Sequence, residues 1–360
     1  MNPAAIARRQ LAQQHLSHNR LGAPEEVVAW LGAVQSQDYY GAKWSLGLRI
    51  AGATDALIER AFDDGRILRT HVMRPTWHFV HPEDIGWLLA LTAHRVIAQL
   101  AYMSRRLELD EALHQRNNEV LARALEGGRY LTRAELGAAL AGAGIAAEGQ
   151  RFAYILMRAE LDGVICSGPR RGKQFTYALV AERAPQARML EREEALAELT
   201  LRYMTSHGPA TERDLSWWSG LTLADVREGI ALAAASLERE EVDGAEYWFA
   251  SGELPAAAAE EAILLPTYDE FLVGYAGYGR RRRGGAKPAG ELVFEAPFVL
   301  AGEVAGSWRR TVKRGMVNIE VAPFRPLAAE ETTAVQAAAE RFGAFLEMPI
   351  TMQLMPGGSS

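Results

Sequence analysis

Three stretches of this 360-residue chain repeat one order of signals: a capped helix, a turn, a second helix and a short β-hairpin. The clearest copy spans residues 130–180. Thr132 and Glu135 form a Thr-x-x-Glu capping box at the start of an apolar helix, and AGAG supplies the turn. Residues 148–163 carry apolar side chains at helical spacing, and VICSG and QFTYALV are typical of two short strands. A helix-turn-helix followed by a hairpin predicts a winged helix.

A second copy runs from 196 to 250 and repeats the same helix starts. Thr211 and Thr222 each open a Thr-x-x-Asp sequence, a pattern that caps helices. The segments LEREEV and EYWFA flank Asp243 and Gly244, and an Asp-Gly pair is a strong signal for a two-residue hairpin turn. This stretch therefore predicts another winged helix.

The copy at 4–81 is looser but follows the same order. Pro3 and Pro24 suit the first positions of helices, and Thr54 is a candidate cap for TDALIERAFDDG. We expect ILRTHV to pair with PTWHFV as the hairpin. These patterns together favour three winged helices in tandem.

A different pattern connects and follows these units. Residues 83–107 predict one long helix, whereas the chain after 262 predicts strands interrupted by glycine, then a helix at 328–346 and a last strand, PITMQL. The predicted strand regions are AILLPTYDEFLVGY, ELVFEAPFVLAGEVAGSW and KRGMVNIEVAPF. We therefore predict an α+β protein with three tandem winged helix-turn-helix units and a C-terminal β-rich, small barrel-like domain. The expected bounds are 1–81, 112–190 and 191–255 for the winged helices, 82–111 for the linking helix and 256–360 for the C-terminal domain.

The distribution of charge matters more for this chain than its sum. The net charge of −6 argues at first against a nucleic-acid partner, but phosphate contacts act within a Debye length of about 10 Å. Acidic residues crowd into 191–199, 237–246 and 253–261, and basic residues collect elsewhere. The candidate DNA-binding residues are Arg170, Arg171, Lys173, Arg280, Arg281, Arg282, Arg283, Arg309, Arg310, Lys313 and Arg314, with Arg105 and Arg106 as a further basic pair. Solvated surface faces are the alternative interpretation of each cluster.

Several classes of protein are excluded by the motifs and segments that this sequence lacks. No run approaches the ~20 apolar residues of a membrane span, and MNPAAIARRQ lacks the apolar core of a secretory signal. Cys166 is the only cysteine, which excludes a disulfide framework and a thiolate metal cluster. There is no Gly-x-x-x-x-Gly-Lys loop, Gly-x-Ser-x-Gly elbow or His-Glu-x-x-His motif, and the eight histidines show no metal-ligand spacing. We expect a cytoplasmic protein that uses no metal and no cofactor.

Gln35 and Gln37 stand one residue apart in VQSQDYYGAKWSLGLR, which begins at Val34. In a continuous α-helix, positions i and i+2 do not face each other. A site that uses both glutamines would therefore need the backbone to leave helical geometry near Val34 and to run extended or kinked as far as Asp38. A helix is expected directly afterwards, with Trp44 inward. A polar loop between two helices is the alternative.

The nearby segment MRPTWHFV adds further polar side chains to this region. On a strand, successive side chains point to opposite faces. Trp77 and Phe79 are expected to point to the core, which leaves Arg74, Thr76 and His78 together on the other face. A cation, a hydroxyl and an imidazole would then lie in the same small unit as the glutamines. A wing strand with its polar side in water is the competing interpretation.

Four segments together resemble a known family: VQSQDYYGAKWSLGLR, RTHVMRPTWHFV, LLPTYDEFLVGY and GSWRRTVKRG occur in this order over nearly the whole chain. They are similar to the AlkZ-like winged-helix DNA glycosylases. The resemblance implies three tandem winged helices and a C-terminal β-domain around a concave DNA-binding channel. It implies monofunctional excision of N-alkylated bases, including bulky adducts and cross-links. The catalytic Gln-x-Gln motif of the family falls on Gln35 and Gln37.

This chain departs from the family pattern at two places. The residue between the glutamines is usually small or aliphatic, and here it is Ser36. The loop after the Tyr-Asp-Glu segment is often longer and carries an Asp-Arg pair, whereas AGYGRRRRGGAKPAG is short and very basic. The motifs indicate membership of the family more specifically than they indicate activity.

Glutamines suit a reaction whose leaving group is already activated. Alkylation at N7 or N3 leaves a purine cationic, so the enzyme need not protonate it. Amide dipoles can then stabilise the oxocarbenium-like sugar and place a water molecule. Asp38 is the alternative base, with Arg74, Thr76 and His78 as supporting residues. No lysine neighbours the motif, so a Schiff-base step is not expected.

We therefore predict a metal-independent DNA repair glycosylase that hydrolyses the N-glycosidic bond of N7- or N3-alkylated purines in damaged double-stranded DNA, and that acts as a monomer. A winged-helix regulator that reads DNA without catalysis is the first alternative. An interaction scaffold, consistent with the acidic balance, is the second. Release of a methylated purine would separate the glycosylase from both, and a salt series on DNA affinity would separate the regulator from the scaffold.

Overall fold

The computed structural model of the protein describes residues 1–17, 20–252, 262–277 and 296–355, which form a mixed α+β fold, so the predicted class is confirmed. The helices are α1 (Pro3–Gln13), α2 (Pro24–Leu31), α3 (Tyr39–Leu48), α4 (Asp55–Asp63), α5 (Ile85–Arg106), α6 (Glu111–Leu125), α7 (Arg133–Gly142), α8 (Gly149–Leu161), α9 (Val180–Arg183), α10 (Arg192–Ser206), α11 (Glu212–Ser219), α12 (Leu223–Leu232), α13 (Glu270–Val273) and α14 (Ala329–Leu346). The strands are β1 (Val34–Gln35), β2 (Leu68–Val72), β3 (Arg74–Val80), β4 (Leu131–Thr132), β5 (Ile165–Ser167), β6 (Thr176–Leu179), β7 (Leu237–Val242), β8 (Ala245–Ala250), β9 (Ala262–Leu264), β10 (Ala296–Leu300), β11 (Glu303–Lys313), β12 (Met316–Pro323) and β13 (Ile350–Leu354). Within the described ranges, no helix is both long and apolar enough to cross a bilayer.

Local capping sets the helix starts that the sequence predicts. Thr132, Thr211 and Thr222 each accept a hydrogen bond from the backbone N–H three residues on, and the acidic side chain at that position accepts one from the threonine N–H. Pro3 and Pro24 occupy first helical positions. These predictions are confirmed. Each cap depends only on residues within one helical turn, which is why the sequence alone predicts it.

The predicted hairpins also form, and they define the strand that borders the glutamines. β2 pairs with β3, β5 with β6 and β7 with β8, all antiparallel. Asp243 and Gly244 have φ angles of 52° and 74°, as a two-residue turn of the hairpin type requires. In the first sheet the order is β1-β3-β2, so β3 lies between β2 and the short strand of the glutamine segment.

The C-terminal strands form a curled five-stranded sheet in the order β13-β12-β11-β10-β9. β12 and β13 are parallel, and the other pairs are antiparallel. The predicted helix at 328–346 is α14. Residues 291–295 of one predicted strand region lie outside the described residues.

One strand prediction is wrong. Only the first part of the segment AILLPTYDEFLVGY forms a strand, β9. Its later part forms the single helical turn α13. Asp269 caps this turn by accepting a hydrogen bond from the Phe271 N–H at 2.9 Å. Its fully buried carboxylate is also paired with Arg49, and an extended strand would not hold both contacts.

α3, the helix that follows the glutamines, is anchored on the C-terminal sheet and its helix. The Trp44 ring contacts Phe342 and Phe345 on α14, with centroid distances of 4.9 and 5.0 Å. Its Nε1 donates to the carbonyl of Leu264 at 2.6 Å. The glutamine segment is therefore held at the junction between the first sheet and the C-terminal part of the chain.

Candidate active site

The backbone of the glutamine segment is extended, as predicted. α2 ends at Leu31, Gly32 reverses the chain with φ 81°, and β1 follows. β1 pairs with β3 so that Gln35 lies opposite His78. The Ser36 N–H then donates to the carbonyl of Trp77 at 2.7 Å.

The pairing with β3 breaks at Ser36, and the break releases Gln37 from the sheet. A regular antiparallel pair would return a hydrogen bond from the Trp77 N–H to the Ser36 carbonyl. Instead the Trp77 N–H lies 3.4 Å from Gln37 Oε1, and the Ser36 carbonyl accepts from Arg69 Nε and Nη2, each at 3.1 Å. Gln37 is exposed, whereas Gln35 is 9% exposed. Gln35 is therefore part of the buried sheet, whereas the side chain of Gln37 reaches solvent.

Glu270 fixes the backbone of Gln35, a role that the sequence motifs did not predict. Its Oε1 accepts from the Gln35 N–H at 2.6 Å, and its Oε2 accepts from Trp218 Nε1 at 2.9 Å. The Glu270 side chain is fully buried. The available signal was an acidic pair inside the apolar run LLPTYDEFLVGY, because a buried carboxylate requires a buried partner.

His78 is buried in a neutral form beside Gln35. Its Nδ1 donates to the Thr76 carbonyl at 2.9 Å, which leaves Nε2 as an acceptor 3.5 Å from Arg74 Nη2. Burial, together with the neighbouring Arg74 charge, holds the pKa of His78 well below its ordinary value. His78 therefore offers an oriented dipole to the site rather than a positive charge.

Arg74 and Thr76 lie on the same strand as His78, as predicted for this segment. Burial lowers the pKa of Arg74, against the attraction of the Glu270 carboxylate. The hydroxyls of Thr76 and of Thr70, which pairs with His78 from β2, are buried without a hydrogen-bond partner among the described residues. Buried polar groups in native folds are normally hydrogen-bonded, so both hydroxyls keep hydrogen-bonding capacity on this face of the sheet.

Trp77 corrects the expectation that it points to the core with Phe79. Phe79 is fully buried, but Trp77 is only half-buried. The glutamine segment leaves the sheet after Ser36, next to Trp77. The Trp77 ring therefore packs against the Arg69 guanidinium, 4.3 Å from the ring centroid, rather than against apolar side chains. Its Nε1 donates to Glu160 Oε1 at 3.2 Å.

Asp38 is exposed and serves as the N-cap of α3. Its Oδ1 accepts a hydrogen bond from the Gly41 N–H at 3.1 Å. A Cβ at Gly41 would lie 2.4 Å from Asp38 Oδ2 and 3.3 Å from Pro266, so only glycine allows this close turn. The carboxylate that follows the glutamines is thus already engaged in starting a helix.

Arg170 is fixed inside the fold. Its side chain is 6% exposed and lies 3.7 Å from Glu59. The guanidinium covers the rings of Tyr39 and Phe175, at 5.2 and 4.6 Å from their centroids. These contacts support the packing of β6 against α3 and leave little of the charge for an external phosphate.

The other basic residues are more accessible. Arg171 and Arg309 are exposed and paired with Glu135 and Glu320, each at 2.7 Å. Lys173 is exposed in the loop between β5 and β6. Since exposed ion pairs are weak, a phosphate can compete for these arginines.

The β11–β12 hairpin carries the remaining described cluster. Lys313 and Arg314 are exposed, and Arg314 lies in the turn with φ 51°. Arg310 is half-buried, and burial lowers its pKa while the carboxylates of Asp38 and Asp55 oppose that effect. β11 therefore brings a guanidinium into the electrostatic range of the glutamine segment. Arg280, Arg281, Arg282 and Arg283 lie outside the described residues.

Comparison with known proteins identifies the family. The sequence model described as "DNA glycosylase AlkZ-like" matches residues 28–345. The chain belongs to the AlkZ-like DNA glycosylase family. The resemblance inferred from the motifs is thereby confirmed.

Both further comparisons match this AlkZ-like chain to a DNA glycosylase from Streptomyces sahachiroi. An interstrand DNA cross-link repair glycosylase is 26% identical over 279 residues, which cover 74% of this chain and 75% of that protein. The solved structure of DNA glycosylase AlkZ matches with a TM-score of 0.77 and 21% identity, covering 99% of this chain and 100% of that chain. The structural match supports the AlkZ-like fold.

In this AlkZ-like protein, the fold collects some predicted site residues and separates others. Gln35, His78, Thr76 and Arg74 lie together on paired strands, and Gln37 continues from them into solvent. The arrangement offers amide, imidazole and hydroxyl dipoles next to an open surface. It can orient a water molecule and stabilise positive charge without a titrating group.

Proposed function

We propose that this protein is a monofunctional DNA glycosylase that hydrolyses the N-glycosidic bond of N7- or N3-alkylated purines in duplex DNA. Gln37 would contact the reacting nucleotide, and Gln35 would act from its buried position on β1. The observation that carries the proposal is the pair of differently placed glutamines, one fixed by strand pairing and Glu270 and one directed to solvent.

The chemistry of an alkylated purine fits this set of side chains. The purine is cationic and leaves without protonation, so the step that needs help is formation of the positively charged sugar. The Oε1 atoms of Gln35 and Gln37 are the negative ends of amide dipoles that can be directed at this charge. Dipoles that are aligned before the reaction cost little reorganisation when the charge develops. Neutral His78 adds no opposing positive charge.

The nearest lysine in sequence supports hydrolysis rather than Schiff-base chemistry. Lys43 is 1% exposed, and its Nζ is paired with Asp55 at 2.8 Å and Glu59 at 2.6 Å. A nucleophilic amine must be deprotonated and able to reach the sugar. An ammonium held between two carboxylates meets neither requirement.

In the proposed organisation, three winged-helix units contact duplex DNA and the C-terminal domain closes the channel around it. We infer that 1–81, 112–190 and 191–255 act as winged helices, joined by the linking helix at 82–111, and that 256–360 closes the channel as a β-rich domain. We further propose that the protein acts as a monomer. Each of the three units contains paired helices and an antiparallel hairpin, which supports this organisation.

Single-turnover release of 7-methylguanine from duplex DNA tests the catalytic roles. Gln37→Ala is expected to slow release about a hundredfold, since one preorganised dipole contributes ~3 kcal/mol. Gln35→Ala is expected to act similarly, because its main-chain N–H keeps the contact to Glu270. The double variant should lose less than the sum, as both side chains act on one transition state.

Binding measured in parallel separates chemistry from affinity. DNA affinity should change by less than about threefold in each variant, because one neutral amide adds little to the phosphate contacts. Gln336→Ala, at a half-buried glutamine on α14, is the matched control and should release base at the wild-type rate. Equal rates in wild type and Gln37→Ala would remove the glutamine from the mechanism. Absence of release by the wild type would contradict the proposed reaction.

A further inference from the structure

Arg74 is a half-buried cation at the start of β3, and it lacks a carboxylate partner in the described part of the chain. No carboxylate oxygen of the described residues lies within 4.0 Å of its guanidinium. Its Nη2 lies 3.5 Å from the neutral ring of His78, and its buried Nε has no partner among these residues. The buried Arg49, by contrast, is paired with Asp269 at 2.9 Å. Because enclosed charges in native folds are normally paired, an anion from outside the fold is the expected partner of Arg74.

Glu270 is the carboxylate that acts on Arg74 from a longer distance, and its oxygens are already engaged. Its attraction opposes the effect of burial, which lowers the pKa of Arg74. One oxygen accepts from the Gln35 N–H at 2.6 Å, and the other accepts from Trp218 Nε1 at 2.9 Å. Since arginine stays protonated in proteins, Arg74 keeps a positive charge that no direct ion pair within the described residues compensates.

The backbone on both sides of Arg74 is fixed. Met73 has a φ of 62°, and its N–H donates to Thr92 Oγ1 at 3.1 Å. A Cβ at Gly220 would lie 2.4 Å from the Met73 carbonyl oxygen, so the α11–α12 turn packs directly on this residue. Pro75 follows and restricts Arg74 to an extended backbone. A cation held in this way needs little reorganisation to meet an anion.

The strand places this charge beside both glutamines. Arg74, Thr76 and His78 occupy alternate positions of β3 and so share one face. Because Arg74 reaches the ring of His78 four residues on, its guanidinium lies along the strand at the level of Thr76. His78 is the cross-strand partner of Gln35, and the side chain of Gln37 reaches β3 at the residue after Thr76.

A positive charge at this place opposes the proposed reaction unless an anion neutralises it. The sugar becomes positively charged as the glycosidic bond breaks, and the alkylated purine is already a cation. Both would be repelled by an uncompensated Arg74. The anionic groups of duplex DNA are its phosphates, and a guanidinium forms short, charge-assisted hydrogen bonds with them.

We propose that Arg74 binds the backbone phosphate on one side of the damaged nucleotide, and that this phosphate supplies the negative charge which the site lacks. The inference rests on the proposed glycosylase function and adds a phosphate-binding residue to it. DNA would then complete the electrostatics of the site at the moment when the nucleotide reaches Gln37. A damaged nucleoside, which has no phosphate, would lack this contribution.

The test measures binding of duplexes that carry one 7-methylguanine on a 2′-fluoro sugar, which slows base loss. In two of them the linkage on the 5′ or the 3′ side of the lesion is an uncharged methylphosphonate, and in a third a remote linkage is replaced. Wild type should lose about tenfold in affinity at one of the two adjacent linkages, the effect of one hydrogen-bonded charge. Arg74→Gln should bind the unmodified duplex about tenfold more weakly and lose nothing further at that linkage. The remote linkage should affect both proteins equally.

Two further variants make the comparison specific. Arg158→Gln removes a half-buried arginine that is paired with Glu111 and Asp162, each at 2.7 Å, and should keep the wild-type response to every linkage. Arg74→Lys keeps a positive charge and should keep part of the response at the adjacent linkage. Urea unfolding establishes that each variant is folded, and the linkage series on wild type does not depend on any substitution.

Wild-type affinity that falls no more at the adjacent linkages than at the remote one would overturn the proposal. Losses from Arg74→Gln and from the neutral linkage that simply add would also overturn it, because the two changes would then remove different contacts. Base release from ordinary sugars is measured separately. Coupling between Arg74 and one phosphate without any release would contradict the proposed reaction but leave the phosphate assignment standing.

Discussion

Asp38 is the acidic residue that follows the glutamines in sequence, and its geometry separates two roles. As a general base it would need its carboxylate free for a water molecule. In the structure the carboxylate accepts from the Gly41 N–H and starts α3. An N-cap requires only a hydrogen-bond acceptor at this position, whereas a general base requires the negatively charged carboxylate.

Asp38→Asn distinguishes these roles, since asparagine caps helices as well as aspartate does. We expect this variant to keep stability and the rate of base release close to wild type. Asp38→Ala should lose about 1 kcal/mol of unfolding free energy through the lost cap. Urea unfolding and single-turnover release measure the two properties. A large loss of rate in Asp38→Asn with unchanged stability would instead identify Asp38 as the base.

At the scale of elements, the single turn α13 links the buried ion pair of Asp269 to the backbone of Gln35. Asp269 accepts from both Nη atoms of Arg49, each at 2.9 Å, and from Ser45 Oγ at 2.7 Å. The next residue, Glu270, holds the Gln35 N–H. Loosening this turn should therefore disturb the glutamine segment as well as the core.

Asp269→Asn should lower the free energy of unfolding by about 3–5 kcal/mol, because it leaves the buried Arg49 charge without its partner. Burial alone would raise the pKa of Asp269, but the Arg49 charge and the hydrogen bonds from Arg49 and Ser45 lower it below its ordinary value. A depressed folded-state pKa stabilises the fold above the unfolded pKa of about 4, and the contribution is lost as pH falls through the folded value.

Urea unfolding of wild type and Asp269→Asn across this pH range measures the effect. The difference between them should be full at neutral pH and should shrink below about pH 4. Asp64→Asn is the control, since Asp64 is 64% exposed and 3.8 Å from Arg66, and it should change stability by less than about 0.5 kcal/mol. A difference that does not vary with pH would contradict the assigned ion pair.

At the scale of the whole molecule, the parts that sequence reasoning predicted are those set by short-range signals. The threonine caps and the Asp-Gly turn each depend on a few neighbouring residues. The clamp from Glu270 to Gln35 spans 235 positions, and no local pattern specifies such a pair. Arg69 likewise lies against both Trp77 and Phe175, whose proximity results from packing two units together. Contacts between residues far apart in the sequence were therefore the part that the sequence patterns could not predict.

The DNA-binding surface gives a prediction that belongs to the whole molecule, because counterion release depends on which cations reach phosphates. Lys313 and Arg314 are exposed at a hairpin tip, whereas Arg170 is enclosed by aromatic rings. Replacing Lys313 and Arg314 together with serine should reduce the slope of log affinity against log salt concentration by about one to two units. Arg170→Gln should leave the slope nearly unchanged and lower the unfolding free energy instead, because that guanidinium packs inside the fold.

Fluorescence anisotropy with undamaged duplex DNA over a salt series measures the slope, and urea unfolding measures stability. Arg239→Ser removes an equally exposed arginine from β7, where Arg239 pairs with Glu246 at 2.6 Å within an acidic stretch. This control should leave the slope unchanged, since the surrounding acids repel phosphate. If Arg239→Ser flattened the slope as much as the hairpin variant, DNA would bind without regard to the basic clusters. An unchanged slope in the Lys313 and Arg314 variant would show that the hairpin is only a solvated loop.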